Sequence, residues 1–285
     1  MVMTNTHRID GFGGQYQNII YCYAFAELRN CPFYYRPITS MEHNYFNEND
    51  FIERKELLMG FKKNLPIYTF QKTRNISRES IFLYIEKNLD RFSKTNALKN
   101  AKNFFYEGKS RQDYVDEKFF NVAIHVRRAL KDDNREVKDC DHWVNKIMDV
   151  LRRIEFHKPL KFHIISVGEI ENFKKVFSDQ DITHHLDNPV EKDFCTMVYS
   201  DILVTSPDSS LSYVAALISD NSVLYLPFYS PPLPLNNWVN LTEKVLNSND
   251  SKLEQLIRNR LGYLDSKKDS SKNNTKHYPS RFTRR

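Results

Sequence analysis

The sequence predicts an α/β fold with a parallel sheet in its second half, on three observations. Five apolar runs of strand length, at residues 119–126, 160–166, 182–186, 202–205 and 223–226, alternate with helical patterns. The runs are continuously apolar, as strands covered on both faces by crossover helices are. Among only seven glycines, Gly11, Gly13 and Gly14 cluster just ahead of a helical pattern, which marks a place where backbone bends or is closely approached.

Taken in order, residues 15–30 read as a helix, with Ile19, Ile20, Tyr23 and Ala24 at helical spacing. Residues 31–37 have the aromatic content and proline bracketing of a short strand. Residues 47–106 read as mostly helix, at 48–63, 78–92 and 94–106, with a short extended piece at 67–70. In the second half, helices are expected around Trp143, Ile147, Leu151 and Ile154, then at 173–177, 194–199 and 211–218. A boundary near 108–117 separates a mostly helical α/β lobe, 1–117, from a Rossmann-like lobe, 118–265, and a basic, disordered tail follows at 266–285.

Composition narrows the function classes. With 40% hydrophobic and 27% charged residues, the chain is globular and neither disordered nor collagen-like. No apolar stretch is long enough to span a membrane, since the run at 201–226 is broken by Pro207, Asp208 and Asp220. The net charge of +6 resides in the tail, where Lys267, Lys268, Lys272, Lys276, Arg281, Arg284 and Arg285 face Asp269 alone. The neutral remainder offers phosphate polymers no general attraction, so nucleic acid is not an expected partner unless the tail binds it. Cys22, Cys31, Cys140 and Cys195 form no C-x-x-C pair, and free thiols are expected. The first residues lack the order of a signal peptide, which suggests a cytoplasmic setting.

Two strand ends stand out, because ligands of open α/β sheets gather beyond the carboxyl ends of the strands. Residues 121–128 deliver His125, Arg127 and Arg128 at a strand exit, with His125 and Arg127 on one side by alternation. Guanidinium forks suit a pyrophosphate; the plain alternative is a pair of surface arginines beside a satisfied histidine. At 201–218 a buried strand meets a Pro-Asp-Ser-Ser turn and then a helix rich in small residues. Ser209 and Ser210 are good helix caps, and their hydroxyls and amides equally suit a phosphate.

Together, Gly11-Phe-Gly-Gly-Gln-Tyr-Gln17, His125-Val-Arg-Arg128 and Ser209-Ser-Leu-Ser212 resemble, in order and spacing, the G-x-G-x-Q, H-x-R-R and S-S-F-S motifs of the fucosyltransferase superfamily. That group includes α-1,2-, α-1,6- and protein O-fucosyltransferases and many glycosyltransferases of large viruses and microbes. The resemblance implies a GT-B-like fold, two Rossmann-type lobes with the nucleotide sugar held mostly by the second and the acceptor on the first. It implies that Arg127 clasps the donor diphosphate and stabilises the departing charge, with Arg128 in support, and that His125 lies by the nucleoside. Ser209, Ser210 and Ser212 would bond the phosphates or sugar, and Gly11, Gly13, Gly14 and Gln15 would close over the donor. Transfer would be inverting, with no metal or other cofactor, from a nucleotide sugar to a glycan or glycoprotein acceptor.

The chain departs from the pattern in places. Ala129, Leu130 and Lys131 stand between the arginine pair and Asp132 and Asp133, where the family often has Gly-Asp directly; Gly14 replaces a common asparagine and Leu211 a phenylalanine. These changes touch the sugar and acceptor side, so UDP-xylose or another GDP-sugar stands beside GDP-fucose, and a non-catalytic nucleotide- or glycan-binding relative is the rival class. Displacement at an anomeric carbon needs a base, for which Asp132, Asp133 and Glu169 are the candidates; Glu169 is also placed to contact the base or ribose. Asp139-Cys-Asp141 and Asp179-Gln-Asp181 read as chance matches to a metal-presenting motif, and His163 with His184 and His185 as a strand-edge group. The proline- and aromatic-rich run at 226–238 reads equally as a sugar-stacking rim or a stiff connector.

Overall fold

The computed structural model describes residues 2–6, 8–44, 48–69, 76–128, 137, 139–207, 209–227 and 230–272, the last of these, from 262, as backbone alone. The helix after the glycine cluster is α1 (Phe12–Leu28), preceded by the two-residue strand β1 (Met3–Thr4). It starts earlier than its apolar spacing suggests because Gly11, in extended conformation, serves as its N-cap and the next two glycines enter the first turn. β2 (Phe33–Tyr34) pairs in parallel with β1, and Tyr35 bridges Ile67, so among the described residues the first half carries a small parallel sheet.

Helices fill the rest of that half: α2 (Phe51–Met59), α3 (Phe61–Asn64), α4 (Arg78–Glu86), α5 (Leu89–Phe92) and α6 (Asn96–Tyr106). The helix expected over 48–63 is split at Gly60, which adopts φ +73°, and a Cβ there would sit 2.7 Å from the Phe104 carbonyl oxygen. The one expected over 78–92 is split at Lys87 and Asn88. Ser77 and Thr95 cap α4 and α6, accepting from the Ser80 and Leu98 amides.

The second half alternates β3 (Phe120–His125), α7 (Asp141–Arg152), β4 (Leu160–Ser166), α8 (Ile170–Lys174), β5 (Ile182–Leu186), α9 (Val190–Tyr199), β6 (Ile202–Val204), α10 (Ser210–Ile218) and β7 (Ser222–Tyr225). After these come β8 (Trp238–Asn240), α11 (Glu243–Leu246) and α12 (Asp250–Lys272). All six strands are parallel, in the order β5-β4-β3-β6-β7-β8. The chain walks outward from β3 to β5, returns to lay β6 beside β3, and walks outward on the other side. That reversal makes β3 and β6 a topological switch point, and the crevice beyond their carboxyl ends is where such sheets bind ligands.

Alternation along the strands divides the core. Val122, Ile124, Ile164, Val204 and Leu224 pack with α7 and with Leu253 and Ile257 of α12. Ala123, Ile165, Leu203 and Val223 face α9 and α10, and the same cluster continues through α1, α4 and α6. Phe194 of α9 ties the layers, packing edge-on against Phe12 and Phe105 and tilted against Tyr16. The first-half helices therefore form a second layer upon α9 and α10. The basic stretch expected as a tail from 266 begins inside α12, whose backbone is helical through Lys272; residues 273–285 lie outside the described ones. No helix among the described residues is long and apolar enough to cross a membrane.

Candidate functional site

Hydroxyl groups fasten the strand ends around the crevice. Beyond β3 the Arg127 amide donates to Ser206 Oγ at 3.0 Å, and the Ser206 amide donates to Ser212 Oγ at 3.1 Å. Thr205 Oγ1 accepts the Leu226 amide at 2.9 Å, and Ser166 Oγ donates to the Val126 carbonyl. The exits of β4, β3, β6 and β7 are thus tied to one another and to the first turn of α10. Arg127 and the serine turn, 79 residues apart from Arg127 to Ser206, belong to one bonded unit.

The glycine turn joins that unit from the other half. A Cβ at Gly13 would stand 2.5 Å from the Leu211 amide nitrogen and 2.7 Å from the Ser210 carbonyl carbon, so only glycine lets the first turn of α1 lie on that of α10. Two helix N-termini consequently meet at the crevice. Neither N-cap, Gly11 or Ser209, closes a side-chain bond onto its helix, and neither first turn holds an acid. Their amides and partial positive charge suit an anion. Ser209 is buried, Ser210 is half-buried, and Ser212 is buried and already accepts from Ser206.

His125, the last residue of β3, is buried with Nδ1 shielded from water and without a protein partner. Burial, and then the charge of Arg127, push its pKa down to about 3, so the ring is neutral at physiological pH. An uncharged ring nitrogen with no partner beside an anion-suited turn is a ready hydrogen-bonding group for a ligand.

The other expected positions have identifiable local roles. Arg128 points its Nη2 at both carboxylate oxygens of Asp141, at 2.7 and 2.8 Å, and stacks over Phe173. Its fork is held by α7 and α8, which separates it from the supporting role expected beside Arg127. Gln15 is buried and donates to the carbonyls of Arg8 and Ser40, fixing the loop over the start of α1. A Cβ at Gly14 would meet Asp10 Oδ2 at 2.9 Å, whereas at Gly11 its nearest neighbours would be atoms of the His43 ring. Glu169, past the exit of β4, stands exposed at the N-cap of α8. Asp132 and Asp133, with 129–131, lie outside the described residues, as do Phe228 and Tyr229 of the proline-rich run and Asp208 of the serine turn.

The metal-like patterns resolve into structural roles. Asp139 accepts the Asp141 amide ahead of α7, and Asp179 and Asp181 pair with Arg152. His163 bridges Asn121 Oδ1 and His185 Nε2, both at 2.9 Å, across three neighbouring strands. Among the described residues, no three or more His, Cys, Asp or Glu side chains are grouped to hold a metal ion. A shallow depression lined by residues 112–118 precedes β3, at the opposite edge of the sheet.

Ser206 and Thr205 were missed as site residues in the sequence, although hydroxyls directly after an apolar strand and before Pro207 are a visible signal. A second missed group sits beneath the loop after β7. Gln17 Nε2 donates to Ser230 Oγ, which donates to Glu86 Oε1, beside a Tyr21–Tyr213 hydroxyl pair.

No protein-family model matches the chain, and no curated protein matches it. Among solved structures it is similar to the fucosyltransferase NodZ from Bradyrhizobium, at 11% identity and TM-score 0.46, over 76% of this chain and 93% of that one. It is similar to the E. coli heptosyltransferase WaaC with ADP-2-deoxy-2-fluoro heptose, at 11% identity and TM-score 0.46, over 90% and 98% of the two chains. A variant of Arabidopsis thaliana FUT1 in complex with GDP matches at 12% identity and TM-score 0.39, over 81% and 71%. At such identities and scores, the functional reading rests on the site's own geometry.

Proposed function

We propose that the chain is a GT-B-like glycosyltransferase that binds a nucleoside-diphosphate sugar, GDP-fucose first, at the carboxyl edge of its six-stranded sheet. The observation that carries this reading is the meeting of the glycine turn, the β3 exit and the serine turn at the β3–β6 switch point. The first-turn amides of α1 and α10 and the Ser209 and Ser210 hydroxyls take the diphosphate. Arg127 balances the charge that builds as the diphosphate leaves, and His125 offers a neutral ring nitrogen to the nucleoside.

Transfer proceeds by direct displacement with inversion. The acceptor hydroxyl oxygen bonds to the anomeric carbon while the bond from that carbon to the diphosphate oxygen breaks, and the electron pair leaves with the nucleoside diphosphate. The hydroxyl proton passes to a carboxylate, for which Asp132, Asp133 and Glu169 are the candidates. The acceptor is a glycan or glycoprotein hydroxyl, and the reaction proceeds without a metal because arginine and helix amides supply the counter-charge.

Incubation with GDP-fucose, other GDP-sugars and UDP-xylose, with and without EDTA, tests this by release of the nucleoside diphosphate. Release from one donor, unchanged by EDTA, is expected. Binding of a nucleotide sugar with neither hydrolysis nor transfer favours a non-catalytic relative, the reading suggested by the missing Gly-Asp after the arginine pair.

A further inference from the structure

The polar group beneath the loop after β7 takes no part in the diphosphate grip, yet it joins both halves of the chain at one point. Gln17 Nε2 donates to Ser230 Oγ at 2.9 Å, and Ser230 Oγ donates to Glu86 Oε1 at 3.0 Å. The directions are fixed by chemistry: a carboxylate only accepts, so the single Ser230 hydroxyl hydrogen goes to Glu86, and Gln17 must turn its amide NH2 toward Ser230. The main chain is held as well. The Tyr225 hydroxyl donates to the Ser230 carbonyl, and the Tyr213 hydroxyl, 2.9 Å from that of Tyr21, donates to the Pro231 carbonyl at 3.3 Å. Groups of α1, α4, α10 and β7 thus converge on two consecutive residues, with Gln17, Tyr21, Tyr213, Tyr225 and Ser230 buried and Glu86 half-buried.

A satisfied buried polar network rigidifies and specifies one arrangement, whereas a plain connector needs only apolar packing. What is specified here is how the chain leaves β7. Its Leu226 amide is tied to Thr205 at the crevice, Pro227 is exposed, and the next anchor is Ser230. The network also registers both helices of the site, since Gln17 lies one turn along α1 from Gly13, and Tyr213 one turn along α10 from Ser209. β3, β6 and β7 are consecutive in the sheet, with exits spaced about 4.8 Å apart. A nucleotide sugar is likewise a linear sequence of nucleoside, diphosphate and sugar. With the nucleoside by His125 of β3 and the diphosphate at the start of α10, directly after β6, the next exit in line is that of β7.

We propose that Gln17 and Glu86 are positioning residues that act through Ser230 to set the β7 exit as the wall against the donor sugar, and that this exit selects which sugar is accepted. This rests on the glycosyltransferase reading. It decides between the two roles open to the proline-rich run in favour of the rim, and it gives Gln17, the last residue of the glycine motif, a task separate from the diphosphate. Glu86 reaches the site only through Ser230, so its effect is on the sugar and not on the nucleotide.

The test is calorimetric titration of the full chain with GDP, GDP-fucose and GDP-mannose, or with UDP, UDP-xylose and UDP-glucose where UDP is the preferred nucleotide. Each pair differs in the sugar alone. The unaltered chain is expected to separate the two sugars by about tenfold or more in Kd. Ser230→Ala and Glu86→Leu are expected to bring that ratio toward one while binding the bare nucleoside diphosphate as the unaltered chain does. Glu86→Gln, which keeps an oxygen to accept from Ser230, is expected to retain the ratio. A network serving only the fold would weaken nucleotide and both nucleotide sugars together, and that parallel loss overturns the proposal. No sugar preference in the unaltered chain, an unchanged ratio in Ser230→Ala, or a Glu86→Gln variant that behaves as Glu86→Leu overturns it too. Intact nucleotide binding with any of these results leaves the donor reading standing, whereas no binding of GDP or UDP by the unaltered chain overturns that reading and this inference with it.

Discussion

Gly13 and Gly11 are two glycines of one turn with opposite tolerances. A Cβ at Gly13 collides with backbone of Ser210 and Leu211, which cannot swing away; at Gly11 it meets the His43 ring, which can. Gly13→Ala is expected to cost about 1–3 kcal/mol and to abolish nucleotide binding by forcing α1 off α10. Gly11→Ala is expected to bind as the unaltered chain does. Chemical denaturation and nucleotide titration of both variants check this, and equal behaviour of the two contradicts it. The glycine cluster was legible as a place of close approach, but what approaches Gly13 was not, because α10 lies far along the chain. Arg128 is similar: its adjacency to Arg127 suggested a shared task, while its Asp141 partner and Phe173 platform exist only once α7 and α8 are folded. Ser206 eluded the reading because fastening one strand exit to another presupposes the strand order.

Among the elements, β3, β4 and β5 carry a polar rung, Asn121–His163–His185, with Asn121 and His163 buried, through the face covered by α9. Desolvation lowers the pKa of His163 to about 3 and that of His185 to about 4. Both lie below the ordinary unfolded value near 6.5, so between these limits the unfolded chain binds more protons and stability falls as pH falls. For buried His163 the loss reaches about 2 kcal/mol by pH 5 relative to neutral pH. Denaturation midpoints at pH 7.5 and pH 5 check this; an unchanged midpoint would show the rung to be open to water. Phe194, which joins α9 to the first-half helices, is expected to cost about 3–5 kcal/mol on replacement by Ala. The parallel strands were legible because burial on both faces leaves continuous apolar runs. β2 was legible inside the expected strand at 31–37 from its aromatic residues and flanking prolines, whereas β1, of two residues, is too short for any period and β8 follows a proline-rich stretch that hides it.

Across the molecule, the second-half sheet supplies the switch point and the first half supplies the glycine turn. Both rest on a core that continues from the sheet through α10 into α1. The excess positive charge is carried by the basic stretch from 266 onward. Removing residues 273–285 is expected to leave nucleotide binding unchanged, by titration of the shortened chain against the full one; a marked loss would assign those residues to the site. The central claim is that the β3 exit and the two helix N-termini hold one diphosphate. It is tested most directly by the thermal shift with GDP and UDP in the unaltered chain and in Arg127→Ala. For the preferred nucleotide at a hundredfold its Kd, a stabilisation of about 2.7 kcal/mol is predicted in the unaltered chain. Arg127→Ala should remain folded and lose most of that shift. An equal shift in both proteins, or none with either nucleotide, would contradict the account.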